Sequence, residues 1–261
     1  MENPQQYAIN KKSTCEYASA RLKQNGVIVL NKKLISYIDR FRASIYPDRC
    51  CLCGKVIEYK TKVCKDCRKE AKTIRGDRCL ACGVSKKNCS CKKKSNFYNG
   101  ITAPFVYEGV VRKGIQLWKF QGAERNVSFF AEMIAASINE SFDDIQFDVI
   151  TFVPQTEEES AERTYNQSEQ LAAEVGKSLN LPVTELLKKI YETDSQRNLH
   201  PSERSGNVFG VFECIHKDMI QGKNILLIDD VKTSGATINE CAKMLHLYDA
   251  TNVYCAVIAV V

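Results

Sequence analysis

The stretch Asn224-Ile225-Leu226-Leu227-Ile228-Asp229-Asp230-Val231-Lys232-Thr233-Ser234-Gly235-Ala236-Thr237 restricts this chain more than any other. It opens on an unbroken apolar run, Ile225 to Ile228, the pattern of a strand buried on both faces of a parallel sheet. Two adjacent carboxylates then stand where that strand is expected to end. A loop of small and hydroxyl-bearing residues around Gly235 follows, and it leads into an amphipathic segment from Ile238 to Leu247. Ligands of open α/β sheets sit outside the carboxyl ends of the strands. Backbone N–H groups and hydroxyls at a helix N-terminus make a phosphate cradle. Two acids beside such a cradle call for a ligand with a phosphate and neighbouring hydroxyls, such as a ribose 5-phosphate. A buried strand with a capped helix would account for neither the doubled Asp nor the hydroxyl-rich loop.

The remaining pattern supports an α/β core. Ala103 to Tyr107 reads as a strand, Val111 to Phe120 as a helix carrying Lys113 and Lys119, and Val127 to Ile138 as a second helix. Phe147 to Val153 is a buried strand ending at Pro154. A helix is expected from about Gln167 to Leu179, with Leu171, Val175 and Leu179 on one face. Val208 to Phe212 reads as a short strand and Val253 to Val261 as an apolar one. Strands alternating with helices specify a parallel sheet with right-handed crossovers. Upstream, Val27 to Leu30 fits a short strand. Leu34, Ile38, Phe41 and Ile45 share one face of an amphipathic helix ended by Pro47.

Thirteen cysteines form the second strong signal. Eight fall in close pairs: Cys50-x-x-Cys53, Cys64-x-x-Cys67, Cys79-x-x-Cys82 and Cys89-x-Cys91. A Cys-x-x-Cys knuckle delivers two thiolates from one tight turn, and tetrahedral zinc takes two such pairs. Cys50, Cys53, Cys64 and Cys67 are a natural first set, and Cys79, Cys82, Cys89 and Cys91 a second. An interleaved pairing satisfies the same spacing. Cys51 breaks the pattern, and Cys214, Cys241 and Cys255 read as core thiols. With few large apolar residues, this segment should not fold without metal. His200, His216 and His246 show no metal spacing, and Trp118 reads as core packing.

The formal net charge of +6 is concentrated here. Residues 46–97 hold 15 Lys and Arg against 5 Asp and Glu. Two zinc dications on eight thiolates would remove four positive charges, leaving a slightly basic protein with a basic zinc module. That module, with the run Lys92-Lys93-Lys94, is either a solvated surface or a nucleic-acid backbone contact. Few aromatics accompany it, which argues against base-by-base stacking recognition. No apolar run reaches the roughly 18 residues of a membrane span, and Met1 to Asn10 is too polar for a signal peptide. A cytoplasmic protein is expected.

The stretch from Asn224 to Thr237 resembles the 5-phosphoribosyl-1-pyrophosphate (PRPP) motif of type I phosphoribosyltransferases. The order of a short helix, four cysteine pairs and such a core is similar to the ComF family of competence-associated proteins. Tyr107-Glu108-Gly109 and Leu117-Trp118-Lys119-Phe120 resemble that family's tyrosine and lysine-aromatic segments. Glu162-Arg163-Thr164-Tyr165-Asn166-Gln167 resembles its Arg-Gly-Phe-Asn-Gln motif, with Thr164 at the glycine. Gln196, Leu199, Glu203-Arg204, Asn207, Gly210 and Phe212 match a further signature. The resemblance runs from about Leu34 to Val261. It implies an N-terminal extension with an amphipathic helix over 1–45, a double zinc-ribbon module over 46–98 and a type I phosphoribosyltransferase domain over 99–261.

By this resemblance, Asp229 and Asp230 would hold the ribose hydroxyls, directly or through Mg²⁺, and serve as the catalytic carboxylates. Val231, Lys232, Thr233, Ser234, Gly235, Ala236 and Thr237 complete the PRPP motif, with the residues from Thr233 onward around the 5-phosphate. The loop after Pro154 would face the pyrophosphate. Where the family is usually rich in Arg and His, this chain reads Gln155-Thr156-Glu157-Glu158-Glu159-Ser160, and three carboxylates repel a diphosphate. Arg163 and Arg204 are candidates for charge compensation, each fitting a salt bridge as readily as a ligand contact. Two functions result: a Mg²⁺-dependent phosphoribosyltransferase linked to DNA uptake or processing, or a non-catalytic phosphoribosyl sensor or scaffold. Single-stranded DNA, a DNA-uptake helicase or another partner protein are the implied macromolecular partners.

Overall fold

The structure is a computed structural model that describes residues 47–91, 96–121, 124–155, 166–189 and 212–261. The expected strand at Val27–Leu30 and helix at Lys33–Ile45 lie outside the described residues, as do Lys92-Lys93-Lys94, Arg163 and Arg204. In chain order the strands are β1 (Gly100–Thr102), β2 (Phe105–Val106), β3 (Val149–Phe152), β4 (Leu187–Lys189), β5 (Phe212–Cys214), β6 (Asn224–Lys232) and β7 (Asn252–Val260). The helices are α1 (Lys65–Glu70), α2 (Gly109–Gln121), α3 (Glu124–Ser141), α4 (Gln167–Leu179) and α5 (Ala236–Leu247).

Five strands form one sheet in the order β1-β7-β6-β3, with β2 also paired to β7. Every pairing in it is parallel. The continuous apolar runs explain the position of β6 and β7 at its centre, because both faces of these strands are covered. Leu226 and Ile228 of β6 pack with Ala256 and Ile258 of β7 against residues of α2, α3 and α4. Ile225 and Leu227 pack with Val253, Cys255 and Val257 against Ile238, Cys241 and Leu245 of α5. The result is a parallel α/β sheet with helices on both faces. Of the strand expected from Val208 to Phe212 only Phe212 lies within the described residues, and it opens β5, which pairs antiparallel with β4 in a separate two-stranded sheet.

Of the strand expected from Ala103 to Tyr107 only Phe105 and Val106 are strand, as β2; a further strand, β1, precedes that segment, and both pair with β7. Helix α4 spans the expected residues. Its N-cap Asn166 accepts hydrogen bonds from the Ser168 and Glu169 amides, and Asn180 closes it in the left-handed conformation. Such an N-cap contributes about 1 kcal/mol. It also fixes Ser168 at the first turn, beside the carboxyl ends of the strands.

The cysteine-rich segment is not a separate bead. Cys50, Cys51, Leu52 and Cys67 are nearly inaccessible and join the core formed by Phe105, Ile115, Trp118 and Phe130. Asn126 of α3 donates to the backbone oxygens of both Cys51 and Gly114. A methyl group at Gly114 would lie 2.8 Å from the Cys51 oxygen and 2.9 Å from the Leu52 Cα, so only glycine permits this approach. At the rim, Lys62 pairs with Glu132 and Asp48 with Arg125.

Candidate functional site

The metal centres follow from local backbone. Cys50 and Cys53 flank one tight turn, as do Cys79 and Cys82, and each turn is followed by a left-handed glycine, Gly54 (φ 77°) or Gly83 (φ 84°). Cys64 caps α1 and Cys67 lies in its first turn, so helix geometry aims both sulfurs at the first knuckle. The fold brings together Cys50, Cys53, Cys64 and Cys67 in one cluster and Cys79, Cys82, Cys89 and Cys91 in another, each with all sulfurs within 4.8 Å. The pairing is therefore sequential, and the interleaved alternative falls away.

Tetrahedral zinc with sulfurs at about 2.3 Å spaces them about 3.8 Å apart. Cys53 and Cys64 are 3.9 Å apart, Cys82 and Cys89 3.6 Å and Cys79 and Cys91 3.5 Å, while Cys89 and Cys91 stand closer at 3.0 Å. The Cys64 amide points at the Cys50 sulfur and the Cys67 amide at the Cys64 sulfur, both at 3.4 Å. Burial alone would push the Cys50 thiol up, yet the amides of Cys64, Cys53 and Leu52 override it and bring the group down to about 7. Cys67 is pushed well up by burial and the neighbouring sulfurs. Four thiols so close cannot all ionise without a cation, and a dication satisfies both requirements. Both clusters fit zinc. Cys51 is buried outside the cluster, and Cys214, Cys241 and Cys255 are buried core thiols raised by desolvation.

The second site lies at the carboxyl end of the sheet. Strand β6 does not stop at the acidic pair, as its sequence suggested, but continues to Lys232 along β7, with Asp229 opposite Val257 and Val231 opposite Ala259. Its other neighbour, β3, ends at Phe152, paired with Ile228. Asp229 to Lys232 are thus held on one side by β7 and left without a β3 partner on the other. The first contact past that boundary is the Val153 amide on the Ile228 carbonyl. This is the crevice where sheets of this class take ligands.

The two carboxylates have different neighbours. Asp229 accepts from Ser168 Oγ at 3.0 Å and from the Asp230 amide at 2.8 Å. Burial and the adjacent Asp230 charge push its carboxyl up to about 7, with those hydrogen bonds and Lys119 acting in the opposite direction. Asp230 pairs with the ammonium of Lys119, a residue of α2. Sequence reasoning placed Lys119 on a helix but missed this role, because α2 is more than a hundred residues away in the chain. The lysine-aromatic resemblance was the signal that could have found it.

Thr233, Ser234 and Gly235 follow the strand. Gly235 caps α5 in the left-handed conformation (φ 81°) and has no side chain to bond the helix N-terminus. The Ala236 amide, the first of α5, donates to Ser234 Oγ. Lys232 lies across the loop, its Cε 2.9 Å from where a Cβ on Gly235 would stand. At the start of α4, Gln155 Nε2 donates to the fully buried Gln167 Oε1 at 2.7 Å. The acidic run Glu157-Glu158-Glu159 lies outside the described residues.

Comparison with known proteins follows the same division. Residues 41–95 match the double zinc ribbon domain, and residues 166–260 match the phosphoribosyl transferase domain. The chain is 25% identical over 197 residues to competence protein ComFC of Bacillus subtilis, covering 70% of this chain and 78% of that protein. It is 26% identical over 209 residues to competence protein F of Haemophilus influenzae, covering 76% and 90%. Against competence protein ComFC of Streptococcus pneumoniae it is 27% identical over 223 residues, covering 78% and 96%. Two Cys₄ centres packed on the core of a phosphoribosyl transferase domain are thus joined in one chain, which is similar to the ComF competence proteins over most of its length.

Proposed function

We propose that the protein binds PRPP or a related ribose 5-phosphate with Mg²⁺ at the carboxyl end of β6, in a process linked to DNA uptake. The Asp229-Asp230 pair carries the reading. One acid is held by Ser168 and the other by Lys119, directly ahead of a helix whose N-cap is a glycine. Asp229 and Asp230 accept hydrogen bonds from the ribose hydroxyls. The amides and hydroxyls from Thr233 to Thr237, with Lys232 alongside, take the 5-phosphate. The donor set fits magnesium, since both acids offer hard oxygen ligands and the Asp229 charge is poorly compensated. When bound, Mg²⁺ would supply positive charge beside the ribose hydroxyls and the diphosphate.

If the site turns its ligand over, the C1–O bond to pyrophosphate breaks and the ribose ring gains positive character. The fixed carboxylates then stabilise that charge without forming a bond to it. The competence link rests on the relatives' names, and the basic zinc module is our candidate contact for single-stranded DNA or a protein partner. Arg163 and Arg204 remain candidates for the ligand's charge by family resemblance. A second reading, ligand sensing without turnover, is favoured by the sequence Glu157-Glu158-Glu159 where a diphosphate would lie. Release of pyrophosphate over a panel of bases separates the two.

The binding test is calorimetry with PRPP and Mg²⁺. Asp229→Asn combined with Asp230→Asn should abolish binding while zinc content stays at two per chain. Unchanged affinity in that double variant refutes the site.

A further inference from the structure

Lys119 is held more firmly than a surface lysine. Its neighbour Trp118 is fully buried and donates from Nε1 to Gln170 of α4 at 3.1 Å. One turn earlier, Gly114 locks α2 against Cys51 and Leu52. The helix is thus fixed at two points, and the Lys119 side chain is 19% exposed where it meets Asp230, itself 16% exposed. A lysine fixed at its root keeps a flexible four-carbon stem, along which its ammonium can swing.

The charge balance gives that swing a purpose. PRPP carries a phosphate at one end and a diphosphate at the other. Lys232 lies over the Gly235 loop and serves the phosphate end. The segment after Pro154 offers Gln155 and three glutamates but no Lys or Arg up to Ser160. Among the described residues, Lys119 is the ammonium seated on the acidic pair itself. While it pairs with Asp230, it also occupies the carboxylate that the ribose hydroxyls or a cation would need.

We propose that Lys119 is an exchangeable counter-ion: it neutralises Asp230 in the empty site and moves to the diphosphate of the incoming ligand, selecting for that group. This rests on the ribose-phosphate reading above and deepens it. A divalent cation arriving with the ligand replaces the ammonium on Asp230, so no carboxylate is left uncompensated. A charge-assisted hydrogen bond of this kind corresponds to roughly tenfold to hundredfold in affinity.

The test compares PRPP and ribose 5-phosphate, each with Mg²⁺, on the full zinc-loaded chain by calorimetry. Wild type should prefer PRPP. Lys119→Gln should lower that preference by roughly tenfold to hundredfold while ribose 5-phosphate affinity holds or rises, and Lys119→Arg should restore most of it. Lys119→Met, which keeps the apolar stem, replaces the glutamine variant if the latter loses zinc or its cooperative melt. A preference unchanged by loss of the charge, or equal loss of both ligands, overturns the counter-ion role and leaves the ribose-phosphate site standing. Failure of wild type to bind either ligand overturns the underlying site and the counter-ion with it.

Discussion

Replacing Asp229 by Asn should stabilise the ligand-free protein while abolishing the proposed ribose-phosphate binding, and the gain should depend on pH in a defined way. The carboxyl titrates at about 7 in the fold against a usual 3.8, because burial and the Asp230 charge disfavour its ionised form. The native state therefore keeps a proton that the unfolded chain has released. Below pH 3.8 both states are protonated and nothing is lost. As pH rises from 3.8 to 7, stability falls, and above 7 the loss is complete. Taken at face value the loss is about 4 kcal/mol. The residue is half-buried rather than sealed, so water screens part of the charge, and about 1–2 kcal/mol is the expected size. Asparagine keeps an acceptor for Ser168 Oγ and the Asp230 amide and carries no charge at any pH. Thermal melts of both proteins, free of Mg²⁺ and phosphate, should show an advantage for the variant that grows between pH 5 and pH 7 and levels off above. The plateau should be roughly 2–8 °C for a chain of this size. A variant less stable than wild type at pH 8, or an advantage that does not vary with pH, would refute the assignment of Asp229 as a strained carboxylate.

Two further outcomes follow from the zinc module. Gly114→Ala should lower stability by about 1–3 kcal/mol, since the new methyl meets backbone atoms that cannot yield and the gain in helix propensity is below 1 kcal/mol. Melts and the rate of zinc release should both report it, and an unchanged melt would contradict the packing of α2 on Cys51 and Leu52. If the basic module contacts single-stranded DNA, changing Lys92, Lys93 and Lys94 to Ala should weaken binding and flatten its dependence on log salt by about 2. Binding that is insensitive to salt would refute a phosphate-backbone contact.

Local signals carried much of this structure. The run from Ile225 to Ile228 marked a doubly covered strand because such strands cannot alternate polar and apolar residues. The Cys-x-x-Cys pairs marked the zinc ligands because the metal fixes their spacing, although only the folded chain separated sequential from interleaved pairing. The end of β6 was misplaced. Asp and Lys are poor strand formers, yet pairing with β7 carries the strand through Asp229 and on to Lys232, so tertiary pairing overrode propensity. Lys119 on Asp230 and Ser168 on Asp229 could not be read from residue pattern for a different reason. Both contacts join residues far apart in sequence, and neither leaves a periodic trace.

The burial of the first cysteine knuckle has a consequence for supply. Cys50 to Leu52 sit inside the same core that carries α2 and, through it, Lys119. A polypeptide made without zinc would lack both the knuckle and the wall on which that helix rests. The quantity of the proposed ribose-phosphate site is then set by metal availability during synthesis as well as by expression. Starving producing cells of zinc should reduce the yield of the whole molecule rather than give an intact sheet with a ragged N-terminal end.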